Sequence, residues 1–422
     1  MKTLLHSVKI ISPGSKHHGK QRDILIEKGK IIAIGTKLDD PEAKSIQGKD
    51  LHISPGWIDL RVNFRDPGEE WKEDLNSGLE AAALGGFTQV VQMPSTDPVI
   101  DSKSSLEYLL NRAQGHAVKL HAAAALSKGM KAEGLSEMFD LHTAGACLFT
   151  DDKHPVVNTE LMHRALEYTK NFNGTVMSIP FDSGICPGGL MHEGKMSTAL
   201  GLKGIPVIAE TLCLQRDLDL LRYTSGKLHV SLLSSAEGVE LIRKAKKEGL
   251  NVTADVSAAH LLFCDEDLEG YDSNFKTLPP FRATSDRKAL IKGIKDGTID
   301  AICSDHSPHD IEAKQKEFEH AEFGFSGIEA TFSAALEALG SDQESLEIIV
   351  NRLSLGPASL LGLPHTIIEE GADADFTLFS TSKEWVYNRE TIKSKSIYSP
   401  FLNKKFKGKA LGIWRGRHRK LF

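Results

Sequence analysis

The chain has few of the features that mark secreted, membrane-spanning or disulfide-rich proteins. Its 422 residues include five cysteines, which are odd in number, widely separated and never arranged as C-x-x-C. This spacing argues against a disulfide framework and against a zinc-thiolate site. No apolar run approaches the roughly 18 residues of a membrane span, and the N-terminus lacks an apolar signal region. We therefore predict a cytoplasmic protein without membrane association.

Strong charge of one sign is also missing. The net charge is -6, and it is spread along the chain. The basic segment Trp414–Lys420 is short and has no interleaved aromatic residues, so we predict no nucleic-acid partner. A hydrophobic content of 40% and a charged content of 26% are typical of a globular chain with a large core.

Both ends of the chain are rich in short β-type runs separated by turn residues. Two sequence-distant segments of this kind can pair into one domain. We predict a composite β-sandwich formed by residues 1–53 and 366–422. The runs are Leu4–Ile11, Asp23–Glu27, Lys30–Ile34, Ala374–Phe379 and Leu411–Trp414.

Between residues 54 and 365, apolar runs alternate with segments of helical periodicity, which indicates a parallel sheet built from βα units. Uniformly apolar runs such as Gln89–Met93 are expected of strands that are covered on both faces. The pattern alone fits either a barrel or a doubly wound sheet. We predict strands at 88–93, 144–150, 176–180, 228–233, 251–256 and 301–304, and helices at 74–84, 159–171 and 236–248.

The segment Pro55–Gly68 reads P-G-W-I-D-L-R-V-N-F-R-D-P-G and resembles the dihydroorotase pattern D-L-H-V-H-x-R-x-P-G. The segment Gly297–His309 is similar to that family's T-D-H-A-P-H motif. Further matches follow in chain order over nearly the whole sequence. They are Gly85–Pro98, Phe149–Asp152, Tyr271–Arg282, Phe323–Glu329 and Gly371–Asp375.

The resemblance implies a (β/α)8 barrel of the amidohydrolase type with a small β-sandwich. In active members two metal ions bridged by hydroxide attack a cyclic amide, and a metal lowers the pKa of its bound water from 15.7 toward about 7. The implied ligands are four histidines, a bridging carboxylate and the aspartate of T-D-H, which is also the general acid and base. The matching positions here are Arg61, Asn63, Ile179, Leu232, Asp151 and Asp305.

All four histidine positions are replaced. Isoleucine and leucine offer no lone pair, and the fixed charge of Arg61 repels a divalent ion. The loss is specific, because the chain keeps 17 histidines elsewhere. We predict no metal cofactor and a vestigial Asp305, with Asp151 and Asp305 paired to Arg61.

Part of the substrate-binding set implied by the resemblance remains. Arg65 and His309 match positions that hold the substrate carboxylate, whereas Ser95 and Leu278 each replace an asparagine. An arginine can grip a carboxylate whether or not chemistry follows. Dihydroorotate and carbamoyl aspartate are therefore candidate ligands.

Three functional hypotheses follow. The first is a non-catalytic, homo-oligomeric dihydroorotase homologue that supports aspartate carbamoyltransferase in pyrimidine biosynthesis, as the resemblance to inactive homologues implies. The second is an active cyclic amide hydrolase that uses one zinc ion or a rearranged site around Asp151, Asp305 and a histidine. The third is a barrel that binds a ligand without converting it. We interpret His260 and His306 as ordinary hydrogen-bonded histidines, and Phe181–Met196 as a loop over the barrel mouth.

Overall fold

The computed structural model describes residues 2–268 and 270–422, and its strands fall at the two ends and through the middle of the chain. They are β1 (Lys2–Ile10), β2 (Gln21–Glu27), β3 (Lys30–Gly35), β4 (Lys44–Ile46), β5 (His52–Pro55), β6 (Trp57–Val62), β7 (Phe87–Gln92), β8 (Lys119–Ala124), β9 (Ala146–Phe149), β10 (Val176–Ser178), β11 (Met191–His192), β12 (Gly204–Ile205), β13 (Leu228–Val230), β14 (Val252–Ser257), β15 (Ala301–Cys303), β16 (Asp375–Val386), β17 (Lys405–Arg415) and β18 (His418–Leu421).

Helices occupy most of the intervals between the central strands. They are α1 (Leu75–Leu84), α2 (Lys103–Arg112), α3 (Met138–Thr143), α4 (Thr159–Thr169), α5 (Lys195–Leu200), α6 (Ile208–Thr224), α7 (Ala236–Lys247), α8 (Ala258–Leu262), α9 (Thr284–Asp296), α10 (Ile311–Lys314), α11 (Thr331–Leu339), α12 (Gln343–Val350) and α13 (Gly356–Leu360).

Eight parallel strands form the central sheet, in the order β15-β14-β13-β10-β9-β8-β7-β6. The sheet closes on itself. Val62, at the end of β6, forms a parallel bridge with His306 just after β15. The amide of Asn63 donates to the carbonyl of His306 at 2.8 Å. Closure confirms the predicted (β/α)8 barrel and rules out the doubly wound alternative.

The two chain ends share a second sheet. Its strands run in the order β18-β17-β16-β5-β1-β2-β3, with β4 paired to β1. The link between the N-terminal and C-terminal parts is the antiparallel pairing of β5 with β16, in which Ile53 lies opposite Leu378. Both residues belong to a separate buried apolar cluster, where the rings of Phe376 and Trp414 stack with centroids 4.7 Å apart.

Local sequence signals set the boundaries of the barrel helices, and α7 shows how. Ser235 caps the helix, because its hydroxyl accepts from the amide of Gly238. Val239, Ile242 and Ala245 recur at three-residue spacing and are buried against the barrel. Lysines fill the last turn, where they complement the helix dipole.

Two regions differ from the sequence-based prediction. Strand β8 was not predicted because its sequence is K-L-H-A-A-A and alanine is depleted in strands. The pairing with neighbouring strands of the barrel, and not a local preference, fixes its conformation. The segment Phe181–Met196, predicted as a loop, contains the short strand β11 and the first residues of α5, and β11 pairs with β12 beyond this segment. No helix within the described ranges is long and apolar enough to cross a membrane.

Candidate functional site

The carboxyl ends of the barrel strands meet at one mouth, which is where (β/α)8 barrels place functional residues. Four residues there have left-handed backbone conformations: φ is 62° at Arg65, 55° at Asp152, 57° at Leu232 and 51° at Asp305. Non-glycine residues rarely adopt positive φ, and each instance costs about 1–3 kcal/mol. The backbone at the mouth is therefore strained at these four residues, as is common at functional sites.

A buried ion cluster fills one side of the mouth. The guanidinium Nε of Arg61 donates to Asp305 Oδ1 at 3.0 Å, and its Nη2 donates to Asp152 Oδ1. The ammonium of Lys153 donates to Asp305 Oδ2 at 2.9 Å. The Arg61 and Asp305 side chains are 2% and 0% exposed. Two cations thus neutralise two carboxylates in a site almost closed to water.

The protonation equilibria follow from these contacts. Burial opposes the charged form of Arg61, but the carboxylates of Asp152 and Asp305 raise the pKa of its guanidinium above the ordinary value. Burial also opposes ionisation of Asp152, yet Arg61 and the hydroxyl of Ser95 hold the pKa of this carboxyl below its ordinary value. Arg61 and Asp152 are therefore both ionised at neutral pH.

The predicted pairing of Arg61 with Asp305 is present, but the predicted pairing with Asp151 is wrong. Asp151 turns away from the mouth and accepts from the amide of Ser127 at 2.8 Å and from its hydroxyl. Burial raises the pKa of this carboxyl. Asp152 takes the expected place. The left-handed backbone at Asp152, with φ of 55°, directs the Asp152 side chain and not that of Asp151 toward Arg61.

Of the other three positions where the resemblance implies histidines, two hold apolar residues and the third holds an asparagine that is hydrogen-bonded within the protein. Ile179 and Leu232 are buried together with Cys303 in a small apolar cluster. Asn63 donates to the backbone carbonyl of Ser95 at 3.3 Å, and its Oδ1 accepts from the amide of Arg65 at 3.1 Å. One side of the former site is thus hydrocarbon, and the other is an internal salt-bridge network.

The donor set does not fit a binuclear metal centre. Both carboxylates at the mouth, Asp152 and Asp305, are already paired with cations. Within residues 2–268 and 270–422 no group of three or more His, Cys, Asp or Glu side chains is placed to hold a metal ion. Zinc requires several such donors at about 2.0–2.3 Å, and Arg61 and Lys153 provide none.

The predicted substrate-binding residues lie together at the mouth. Nη2 of Arg65 is 3.2 Å from Nε2 of His309. Nη1 of Arg65 donates to Glu69 at 3.2 Å, and Nε2 of His309 donates to the carbonyl of Phe323 at 3.0 Å. Ser95 donates to Asp152. Each of the three therefore already has a partner within the protein.

Two residues of the cluster escaped the sequence-based reasoning. Asp152 was hidden because it stands beside another aspartate. Lys153 lies just beyond the family-like segment Phe149–Asp152, although a lysine directly after a pair of carboxylates at the end of a strand indicates charge compensation. His229 is a third missed group: its Nε2 lies 2.8 Å from Asp255 Oδ2, and both side chains are fully buried below the mouth.

The interpretation of His260 agrees with its surroundings. Its Nδ1 lies 2.8 Å from the hydroxyl of Ser257, and its Nε2 lies 3.1 Å from the carbonyl of Pro279. Burial lowers the pKa of His260 to about 4. At a pH between about 4 and 6.5, His260 is therefore neutral in the folded chain and protonated in the unfolded chain.

This burial predicts a measurable pH dependence. Between pH 6.5 and about 4 the unfolded chain binds a proton at His260 that the folded chain does not, so stability falls as the pH falls through this window. His260→Gln is expected to reduce the slope of unfolding free energy against pH by about one proton, or about 1.4 kcal/mol per pH unit. Urea unfolding at several pH values measures it, and an unchanged slope would refute it.

Known structures share this architecture. The L-hydantoinase from Arthrobacter aurescens superposes with a TM-score of 0.84 at 23% identity, covering 98% of this chain and 94% of that one. The dihydropyrimidinase from Brevibacillus agri gives 0.82 at 21% identity, with coverages of 100% and 95%. The Amidohydrolase family model matches residues 189–411. The fold is that of an amidohydrolase-type barrel.

Sequence relatives narrow the class further. The model described as Dihydro-orotase-like matches residues 51–238. The dihydroorotase of Syntrophus aciditrophicus is 39% identical over 416 residues, covering 97% of each chain. That of Ruminiclostridium cellulolyticum is 41% identical over 381 residues, covering 90% of this chain and 89% of its own. The chain therefore belongs to the dihydroorotase family.

Proposed function

We propose that this chain is a non-catalytic dihydroorotase homologue of the cytoplasm, and that it serves pyrimidine biosynthesis by supporting the assembly of aspartate carbamoyltransferase. The observation that carries the loss of catalysis is the buried cluster in which Arg61 and Lys153 neutralise Asp152 and Asp305. Two of its members, Arg61 and Asp305, stand at positions where the resemblance to the family implies metal ligands.

The two cations cannot replace the chemistry of metal ions. Zinc activates water because the metal accepts a lone pair and lowers the pKa of the bound water toward about 7. Guanidinium and ammonium groups offer only N–H donors, so they stabilise anions but do not generate hydroxide. Each oxygen of Asp305 already accepts a hydrogen bond from a cation, Oδ1 from Arg61 and Oδ2 from Lys153. The mouth therefore does not supply the metal-activated water that hydrolyses a cyclic amide in active members of the family.

A role in assembly explains why the scaffold persists without its metal ligands. The relatives align over 97% of this chain, so neither the barrel nor the terminal sheet has been shortened. Loss of the metal ligands with retention of nearly the whole length of the scaffold is the pattern expected of a protein whose contacts with a partner matter.

Reconstitution tests this role. The full chain, mixed with the aspartate carbamoyltransferase of its own cells, is expected to elute as one complex and to raise the thermal stability and activity of that enzyme. His309→Gln is the matched control and should assemble normally, because this change alters only the barrel mouth. Separate elution together with an unchanged transferase would contradict the proposal.

A second candidate is ligand binding without turnover, and it rests on the adjacency of Arg65 and His309. Nδ1 of His309 is buried without a hydrogen-bond partner, and burial beside Arg65 lowers the pKa of this imidazole to about 2. The guanidinium of Arg65 can bind a carboxylate, and Nδ1 of the neutral His309 can accept from an N–H group of the same ligand. Calorimetric titration with dihydroorotate and with carbamoyl aspartate tests it, and the absence of heat at millimolar ligand would reject it.

A further inference from the structure

Two lysines near the barrel mouth carry buried ammonium groups. Nζ of Lys314 donates to the backbone carbonyls of Glu322 at 3.0 Å and of Gly324 at 2.9 Å. Nζ of Lys276 donates to the carbonyl of Phe318 at 2.6 Å. Lys276 and Lys314 are 2% and 1% exposed, and in the described part of the chain neither forms an ion pair. Such cations are rare, because burial without a carboxylate partner opposes their charge.

Both ammonium groups hold the same stretch of backbone, residues 315–324. This stretch follows α10 and contains neither an α-helix nor a β-strand. The amide of Gly324 donates to the carbonyl of Lys276 at 3.0 Å. The side chain of Phe318 is buried in a small apolar cluster. A segment that is held by so few contacts opens at a lower free energy than the barrel core.

The end of this stretch covers the pair formed by Arg65 and His309. Nε2 of His309 donates to the carbonyl of Phe323 at 3.0 Å. Gly324 lies so close that a Cβ placed on it would be 3.1 Å from the same nitrogen. Burial lowers the pKa of the Arg65 guanidinium, and the nearby carboxylate of Glu322 is among the groups that oppose this effect. Residues 315–324 therefore form a lid on this pair.

The charges that face Lys314 come from three parts of the chain. Lys276 and Asp272 lie on the segment that follows α8, Glu322 lies on the lid, and Lys153 follows β9. Burial, and next to it the charge of Lys276, lower the pKa of Lys314 to about 7 from its ordinary value of 10.5. Asp272 and Glu322 oppose this effect, and Lys153 adds to it. The closed lid therefore disfavours a proton on Lys314.

We infer that the lid is released by a proton: uptake of one proton by Lys314 opens residues 315–324 and exposes Arg65 and His309 to solvent. Opening removes the carbonyls that cover Nζ of Lys314, so water solvates the ammonium. A proton then binds more strongly to the open form, and by linkage it favours that form. His309 also faces Lys314, but burial lowers the pKa of its imidazole to about 2, so it takes up no proton near neutral pH.

The pH window of the lid follows from the pKa of Lys314 in its two forms. Above pH 10.5 the amine is neutral whether the lid is closed or open. Between pH 10.5 and about 7 only the open form binds the proton, so the open fraction rises about tenfold for each unit by which the pH falls. Below about pH 7 both forms are protonated, and the open fraction levels off. The lid thus responds to pH just above neutrality.

Hydrogen exchange of the full chain tests this inference. The amides of Glu322 and Gly324 donate to backbone carbonyls in the closed lid, so their exchange reports its opening. Relative to the unfolded chain at the same pH, their protection is expected to fall about tenfold from pH 9 to pH 8 and to level off below pH 7. Lys314→Met is neutral at every pH and is expected to abolish this dependence. The matched control Lys316→Met removes an exposed charge from the same lid and should retain it.

Chemical modification gives a second readout at the mouth. Diethyl pyrocarbonate reacts with neutral imidazoles, and His309 is neutral throughout this pH range. Its rate of modification, relative to that of exposed His418, is expected to rise as the pH falls from 9 to 7 in the wild type and to stay constant in Lys314→Met. Lys314→Gln should behave in the same way, and thermal unfolding verifies that each variant is folded.

Three results would overturn the inference. The first is equal protection of the lid at pH 7 and pH 9 in the wild type. The second is a pH dependence that persists in both Lys314→Met and Lys314→Gln, because another group would then bind the proton. The third is a loss of the dependence in Lys316→Met, which would show that the net charge of the lid matters and not the buried ammonium.

Discussion

Replacing Arg61 with alanine is expected to lower the free energy of unfolding by about 3–5 kcal/mol. The guanidinium contacts Asp152 and Asp305 at a site where all three side chains are at most 5% exposed. Its removal leaves two carboxylates facing each other with Lys153 as the only nearby cation of the cluster. Urea unfolding at pH 7, followed by circular dichroism, measures the loss.

Two comparisons make this result specific. Arg164→Ala breaks an exposed ion pair with Glu160, and it should cost no more than about 0.5 kcal/mol. Neutralising the whole cluster, with Arg61→Met, Lys153→Met, Asp152→Asn and Asp305→Asn, should recover most of the stability lost in Arg61→Ala, because no unpaired charge remains. A loss below about 1 kcal/mol for Arg61→Ala would mean that water, not Arg61, solvates the carboxylates.

Restoring the histidines is expected to create a zinc site. The variant carries Arg61→His, Asn63→His, Ile179→His and Leu232→His, together with Lys153→Ala, which frees Asp305 from its ammonium partner. Four imidazoles and two carboxylates supply donors that zinc prefers. One to two zinc ions per chain are expected, with a Kd below about 1 µM. Metal analysis after dialysis measures it.

The backbone favours this reversion at one position in particular. Leu232 has a φ of 57°, a region that histidine occupies more readily than most other side chains. The matched control replaces the same positions with asparagine or glutamine, which keeps polarity but removes the imidazole nitrogens. This control should bind less than about 0.1 zinc per chain. Equal zinc in both variants would show that metal binding does not depend on these positions.

The barrel could be predicted because its signals are local. Short apolar runs followed by capped amphipathic helices identify βα units, and α7 begins after its capping Ser235 as the sequence indicates. Strand β8 escaped because three alanines carry little strand preference, and only its neighbours in the closed sheet fix its conformation. Local patterns therefore predict the elements that do not depend on distant partners.

The mouth could be predicted only in part. The absence of histidine at Arg61, Asn63, Ile179 and Leu232 can be read from the sequence, because none of these side chains carries an imidazole. The choice of Asp152 over Asp151 depends on a left-handed turn at φ 55°, which no residue pattern announces. The ion pair of Lys153 with Asp305 joins residues that are 152 positions apart in the sequence. It could not be predicted, because only closure of the barrel brings these residues together.

The outer face of α6 shows a different limit. Exposed apolar residues on α6 cannot be told from core residues by periodicity, because a barrel helix also buries a stripe. Ile208, Leu212 and Tyr223 become informative only when the structure shows them on the outer side.

The most direct test of the loss of catalysis is the turnover of dihydroorotate by the wild-type chain in the presence of excess zinc. No hydrolysis above a protein-free control is expected, because Arg61, Asn63, Ile179 and Leu232 offer no imidazole to the ion that would activate water. Within residues 2–268 and 270–422 no group of three or more ligand side chains is placed to hold that ion. Zinc-dependent turnover on the order of 1 s⁻¹ or faster, a rate typical of enzymes, would contradict this conclusion.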